Sequence, residues 1–215
     1  MRNTEAVRVW DMAVRLFHWS LVAMFVVAYF TAEEENILHI YSGYAVLGLI
    51  SFRVVWGFIG THYARFSDFI YSPKKVMQYV RGLMSGNPEH YLGHNPLGGW
   101  MVVALLFSLF VVTVSGLKLY AVEEGRGPLA GKEHEYSLLQ DAYADREEEE
   151  EHEKKKHDKS NEASEEFWEE VHEISTNITL FLIGLHILGV IVSSRAHDEN
   201  LIKAMITGNK EKNII

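Results

Sequence analysis

The sequence predicts an all-α protein that lies in a membrane as a four-helix bundle. Four stretches are apolar on every side and together contain a single Asp, Glu, Lys or Arg residue, Arg53. These stretches are Leu16 to Ala32, Asn36 to Thr61, Asn95 to Leu117 and Ile174 to Ser194. A helix needs about 20 predominantly apolar residues to cross a bilayer, so all four are long enough. A soluble bundle is the alternative, but outward faces such as that of residues 101–110 offer water almost nothing polar.

The apolar stretches define one membrane domain over residues 1–215, with helices expected at about 14–32, 37–60, 96–120 and 168–194. Charge is concentrated between the third and fourth helices, where residues 122–170 hold 18 acidic and 7 basic side chains of a chain whose net charge is −9. We therefore expect residues 122–166 to form a long acidic outer loop. A solvated helix and disorder fit its composition equally well.

Composition also excludes several functions. The chain has no cysteine, which excludes disulfides, thiolate metal sites, iron–sulfur clusters, cysteine catalysis and covalently attached c-type haem. Net acidity and the lack of stripes of basic and aromatic residues argue against nucleic-acid binding.

The distribution of Lys and Arg predicts the orientation. Basic residues precede the first helix, occupy the loop from His62 to His94 and follow Ser194, whereas the first loop, residues 33–35, has none. Because Lys and Arg in short loops mark the cytoplasmic side, both termini and the middle loop are predicted to be cytoplasmic. The acidic loop also holds seven bases, but long loops cross largely regardless of charge.

Four histidines lie in or beside the apolar stretches: His18, His39, His172 and His186. Ionisable residues at membrane depth are costly and usually functional, although a single one can serve only as a hydrogen-bonding partner between helices. His172 and His186 are 14 residues apart. An α-helix therefore separates them by about 21 Å along one face.

Depth in the membrane groups these histidines in two pairs. Counted from the outer acidic residues, His18 and His186 agree in depth to about 3 Å. His39 and His172 agree less closely, to about 7 Å, and helix tilt must absorb that difference. Two facing imidazoles suit the two axial positions of a haem iron. Zinc would instead need four ligands that converge at one point.

Two glycines accompany the histidines. Gly43 follows His39 by one helical turn, and Gly189 follows His186 by three residues. A missing side chain on the ligand face leaves room for a flat macrocycle, although such glycines can also serve only for close packing of helices.

The sequence resembles a known family in several motifs. These are Arg15-Leu-Phe-His-Trp19, His39-x-x-x-Gly43-Tyr, Arg53-Val-Val-Trp-Gly57, Ala64-Arg-Phe66, Gly93-His-Asn-Pro-Leu-Gly-Gly99, His172-x13-His186 and the tail from Asp198 to Lys210. They are similar to motifs of the bacterial cytochrome b561 superfamily, above all to its branch of cytochrome b subunits of nickel–iron hydrogenases. The resemblance covers most of the chain and departs at residues 121–166.

The resemblance implies a protein of the bacterial inner membrane that carries two non-covalent haem b groups, with His18, His39, His172 and His186 as axial ligands. Such proteins transfer electrons between a membrane quinone, ubiquinone or menaquinone, and a periplasmic c-type cytochrome or hydrogenase. Relatives of the same fold oxidise superoxide and reduce quinone, so a quinone-linked oxidoreductase is an alternative function.

Two further residues lie near the expected cytoplasmic level, and one of them, Arg53, could support a haem there. Haem propionates are anionic and favour Arg, which makes Arg53 a candidate for holding one, although boundary arginines often serve as interfacial anchors. His94 precedes the third helix. We expect it to form a hydrogen bond with Asn95 at the helix entry, and a role in a quinone or proton path is the alternative.

The acidic loop allows further hypotheses. Its histidines, His134, His152 and His157, suggest a metal-ion transporter or sensor, although a solvated charged loop explains them as well. Its negative charge could also steer a positively charged redox partner. A passive anchor subunit for a larger complex is a further possibility, in which the four membrane histidines would be dispensable.

Overall fold

The computed structural model describes residues 4–32, 37–130 and 147–213. Its helices are α1 (Met12–Phe30), α2 (Ile37–Ile59), α3 (Phe66–Phe69), α4 (Pro73–Met84), α5 (Pro96–Glu123), α6 (Glu147–His197) and α7 (Leu201–Thr207), with a 3-10 turn at His62–Ala64 and two strands, β1 (Thr4–Arg8) and β2 (Asn209–Asn213). The prediction of a mostly helical chain is confirmed.

Four of these helices are long and apolar enough to cross a membrane: α1, α2, α5 and the part of α6 from Glu162 to His197. Large apolar side chains along them are exposed, as an apolar solvent requires and water does not tolerate over a wide area. Examples are Phe30, Phe58, Phe107, Phe110, Phe181 and Leu188. The predicted multi-pass arrangement therefore has the four helices it needs.

Helix α6 begins much earlier than the expected start at about residue 168. It runs without a break over 51 residues from Glu147, which corresponds to about 76 Å of rise, far more than the ~30 Å hydrocarbon core of a bilayer. The rear part of the acidic segment therefore continues the fourth helix. The front part of the predicted acidic loop, residues 131–146, lies outside the described residues.

The chain forms two compact units. The first comprises residues 1–107 and 179–215, and thus contains α1, α2, the short helices and the adjoining parts of α5 and α6. The second comprises residues 108–178. Each unit is described by itself below.

The first unit joins the two ends of the chain, which the sequence did not predict. Strand β1 pairs antiparallel with β2, with Thr4 opposite Asn213 and Arg8 opposite Asn209. The carbonyl oxygen of Gly208 extends this pairing because it accepts hydrogen bonds from the backbone of Val9 and Trp10. Gly208 ends α7 with a φ of 89°, a left-handed conformation that glycine adopts without strain.

A small apolar core packs beside the paired strands, and we call it the terminal cluster. Its buried members are Val9, Trp10, Val14, Ala64 and Ala204. Asp11 places α1 on this cluster, because its carboxylate caps the helix at the Val14 N–H and also accepts the Trp56 indole N–H at 3.1 Å. The start of α1, the end of α2 and the C-terminal helix α7 are thereby fixed together.

Candidate functional site

His18 and His186 come together in the first unit. His18 lies on α1, three residues after Arg15 and therefore near the same face, and His186 lies on α6. Both are partly buried, and the two imidazoles are close enough to interact electrostatically. The Nδ1 atom of His18 is shielded from solvent and has no hydrogen-bond partner. Two helices far apart in sequence thus bring two imidazoles to one place.

His39, near the start of α2, is oriented by the backbone of α1. Its Nδ1 atom lies 2.9 Å from the carbonyl oxygen of Ala28. A carbonyl oxygen can only accept, so Nδ1 carries the proton and the Nε2 atom keeps its lone pair. Metal-binding histidines are commonly fixed in this way, with one ring nitrogen donating to a carbonyl and the other facing the metal.

His172 has the same arrangement in the second unit. Its Nδ1 atom lies 3.0 Å from the carbonyl oxygen of Val112 and 3.2 Å from the hydroxyl of Ser115. Gly116 allows this approach, since a Cβ there would lie 3.0 Å from Cε1 of the imidazole. His39 and His172 are therefore oriented alike, each with Nδ1 donating to a backbone carbonyl of another helix.

The glycines predicted to flank the ligands have free space beside them. A Cβ at Gly43 or at Gly189 would meet no atom within 4 Å. On a helix, Gly43 lies about 40° around the axis from His39, and Gly189 about 60° from His186. The faces of α2 and α6 that carry these histidines are therefore open beside the two glycines, and a flat ring would meet no atom there.

Arg53 is buried in α2, with 2% of its surface exposed. Its Nη2 atom donates to the carbonyl oxygen of Ala64 at 3.1 Å, and its guanidinium lies against the rings of Phe66 and Phe69. Its Nη1 atom is shielded and has no hydrogen-bond partner. A buried donor without a partner costs about 1–3 kcal/mol, so the site suits an anionic group such as a haem propionate.

His94 does not form the expected hydrogen bond with Asn95. Asn95 instead caps α5, accepting from the backbone N–H of Gly98 at 2.7 Å and donating to Ser193 at 3.3 Å. The His94 ring packs between Trp10 and Phe69, with both ring centroids at 4.6 Å. Its Nδ1 atom is shielded and unpartnered. Burial, together with the nearby charge of Arg53, lowers the pKa of His94 to about 3, so the ring is neutral.

A polar network that sequence reasoning missed lies beside the C-terminal strand β2. Lys210 of β2 is buried and forms an ion pair with Glu199 at 2.7 Å, while it also donates to the carbonyl oxygen of Tyr91. His90 contacts the other oxygen of Glu199, also at 2.7 Å. Only the tertiary structure reveals this network, because nothing in the local sequence distinguishes Lys210 from the other lysines of the tail.

The family model for prokaryotic cytochrome b561 matches residues 9–208. This chain belongs to the prokaryotic cytochrome b561 family. The match covers all four apolar helices and all four predicted ligands, and it confirms the resemblance that the motifs indicated.

Individual relatives agree with membership in the cytochrome b561 family. Proteins of Azotobacter vinelandii and Azotobacter chroococcum, each described as a probable Ni/Fe-hydrogenase B-type cytochrome subunit, are 30% identical to the chain over 167 residues, which is 61% of this chain and 67% of theirs. A protein of Bradyrhizobium diazoefficiens with the same description is 27% identical over 152 residues, 56% of this chain and 60% of its own. No solved structure gives a significant match.

Membership in the cytochrome b561 family has direct consequences. It supports haem b as the prosthetic group and electron transport as the activity. Together with the four apolar helices, it makes the chain a multi-pass membrane protein. The histidine orientations, the free space beside Gly43 and Gly189 and the unpartnered Arg53 fit such a group.

Proposed function

We propose that this protein conducts electrons across a bacterial inner membrane through two haem b groups, each held by two histidines. The observation that carries the proposal is the approach of His18 on α1 to His186 on α6. The sequence reasoning had assigned these two residues to one level of the membrane. A pair of imidazoles on two apolar helices is suited to bis-histidine haem ligation.

His39 and His172 would hold the second haem. In each, the Nδ1–H donates to a backbone carbonyl, which fixes the ring orientation and leaves Nε2 to bind iron. The pairing itself rests on the predicted depths of the two residues. When bound, haem supplies reversible one-electron exchange between ferric and ferrous iron. The chain orients the ligands, surrounds the ring with apolar side chains and, through Arg53, offers a positive charge to a propionate.

The electron partners follow from the family and its relatives. We propose that one haem exchanges electrons with the membrane quinone pool, and the other with a redox partner on the periplasmic side. Three similar proteins are described as hydrogenase cytochrome subunits, so a hydrogenase is the first candidate for that partner and a c-type cytochrome is the second. With both termini cytoplasmic, as Lys and Arg placement favours, the His18 and His186 level faces the cytoplasm.

A reduced-minus-oxidised visible spectrum with quantitative haem extraction tests the proposal directly. We expect b-type bands and two haems per chain from the purified protein. A colourless protein, or one with a single haem that survives replacement of His18, would contradict it. Copurification from the native membrane then identifies the partner, and reporter fusions at both termini test the orientation.

A further inference from the structure

We propose that His94 joins Arg53 in binding one propionate of the haem held between His18 and His186, an inference that rests on the proposed function. Nothing in the sequence indicates this role, because His94 stands outside the apolar stretches and the two ligand levels are filled without it. In this role His94 does not bind the iron but donates a hydrogen bond to a carboxylate of the haem.

Several buried side-chain nitrogens of the first unit have no hydrogen-bond partner. In the described part of the first unit, the shielded side-chain atoms without a partner are Arg15 Nε, His18 Nδ1, Arg53 Nη1 and His94 Nδ1. His18 is a proposed ligand, and Arg15 lies one turn before it on α1. Native proteins seldom leave such atoms unpaired. Their concentration around one predicted haem level indicates that an acceptor-bearing group belongs there.

Arg53 and His94 both pack against the ring of Phe69. The ring of Phe69, which is 2% exposed, lies 4.6 Å from the His94 ring and 5.7 Å from the guanidinium carbon of Arg53. Arg53 is fixed further by its bond to Ala64, and His94 by its contact with Trp10. His94 is also close enough to both Arg53 and His186 to interact electrostatically with them. Arg53 and His94 therefore lie near each other, and His94 lies near His186, a proposed haem ligand.

The charges of Arg53 and His94 indicate which charge the group between them must carry. Arg53 is always a cation, and the Nδ1 atom of His94, which is shielded and has no other partner, can donate an N–H to an acceptor placed there. One positive charge and one neutral donor match a single carboxylate, which accepts several hydrogen bonds. Asp11 lies close enough to attract the guanidinium electrostatically, but it does not accept a hydrogen bond from Nη1. A water molecule would accept hydrogen bonds from these nitrogens but would add no negative charge beside the guanidinium. A propionate supplies both.

Redox titration of the purified holoprotein tests the proposal, with the midpoint potential of each haem resolved in His94→Leu and His94→Gln. Removing the donor leaves more negative charge beside the iron and favours the ferric state. At a fixed potential, we expect His94→Leu to raise the ferric-to-ferrous ratio of the His18/His186 haem about threefold. The other haem should not change. Glutamine, which keeps a donor, should restore most of the wild-type potential.

His62 provides the matched control, since its side chain is 66% exposed and lies beside Asp68. His62→Leu should leave both potentials unchanged. Resonance Raman spectra give a second readout, in which the propionate bending mode should move in His94→Leu but not in His62→Leu. Wild-type potentials and Raman bands in His94→Leu overturn the inference, and so does an equal shift of both haems. If His18→Ala retains the haem whose potential His94 alters, the proposed function fails instead.

Discussion

The Nδ1 atom of His39 donates a hydrogen bond to the carbonyl oxygen of Ala28, so that helix α1 sets the orientation of a side chain on α2. His172 is oriented in the same way by Val112. In both, a backbone carbonyl accepts a hydrogen bond from Nδ1 and so fixes a proton on that nitrogen. The two residues proposed to share one haem are therefore oriented independently, each by a carbonyl oxygen of a different helix.

Replacing a single histidine should remove one haem, and the two members of a ligand pair should remove the same one. His18→Ala and His186→Ala should each lose the cytoplasmic haem and keep most of the outer one, because each removes one of two axial ligands. His39→Ala and His172→Ala should do the reverse. Haem content and redox spectra of the purified variants measure this, with His62→Ala as a control that should keep both. Loss of the same haem in His18→Ala and His39→Ala would mean that the pairing is wrong.

Two glycines of α2 separate room for a haem from simple exposure. A Cβ at either Gly43 or Gly48 would meet nothing within 4 Å. On the helix, however, Gly43 lies about 40° from His39 and Gly48 about 180° from it. We expect Gly43→Val to reduce the content of the outer haem at least severalfold and Gly48→Val to leave it unchanged. Pyridine haemochrome assays with separate redox titration of the two haems make the comparison. Equal haem content in the two variants would show that the space beside Gly43 faces lipid.

The ion pair of Glu199 and Lys210 should stabilise the joined chain ends. Lys210 is buried, so Glu199→Gln leaves a cation without its carboxylate and should lower the free energy of unfolding by about 3 kcal/mol at pH 7. Glu199→Gln combined with Lys210→Met, which also removes the buried charge, should lose less. Unfolding in urea, followed in detergent by proteolysis of the C-terminal strand, measures both variants. Equal losses in the single and double variants would contradict this account.

The same pair predicts a pH dependence. Burial raises the pKa of the Glu199 carboxyl, but hydrogen bonds from Lys210 and His90 outweigh it, so the pKa lies below the usual 4.5. A carboxyl whose pKa is lowered by folding stabilises the native state above its unfolded pKa, and this contribution disappears as the pH falls through the folded value. The difference in stability between wild type and Glu199→Gln should therefore be full at pH 7 and shrink below about pH 4. A difference that stays constant down to pH 3 would count against the ion pair.

The acidic segment should govern association with a basic redox partner. Most of the chain's negative charge lies in residues 122–170, and α6 continues from the membrane into that segment. We expect the association rate to fall about tenfold between low and high salt, and replacement of the five glutamates at 147–151 by glutamine to weaken that dependence. Stopped-flow reduction of the cytochrome by the partner measures it. A rate that salt leaves unchanged would exclude steering by this segment.

Features that depend on local patterns could be predicted from the residues alone. Hydropathy identified four membrane-spanning helices, because each must hide its backbone in its own hydrogen bonds and present an apolar surface to lipid. Helical periodicity predicted that His172 and His186 share a face and that His18 matches His186 in depth. Motifs around His18, His39 and Arg53 indicated the family. The sequence does not show that the fourth helix begins as early as Glu147, because a charged run fits a helix or disorder equally well.

Features that depend on contacts between distant residues became visible only in the folded chain. The strands of the two chain ends pair across some two hundred residues of sequence. The burial of Lys210 follows from that pairing, and neither strand has an alternating apolar pattern to announce it. Likewise, the tautomers of His39 and His172 and the unpartnered nitrogens of Arg53 and His94 depend on which carbonyl or ring packs against them. Residue type limits what a side chain can do, but its neighbours in space determine which of those roles it performs.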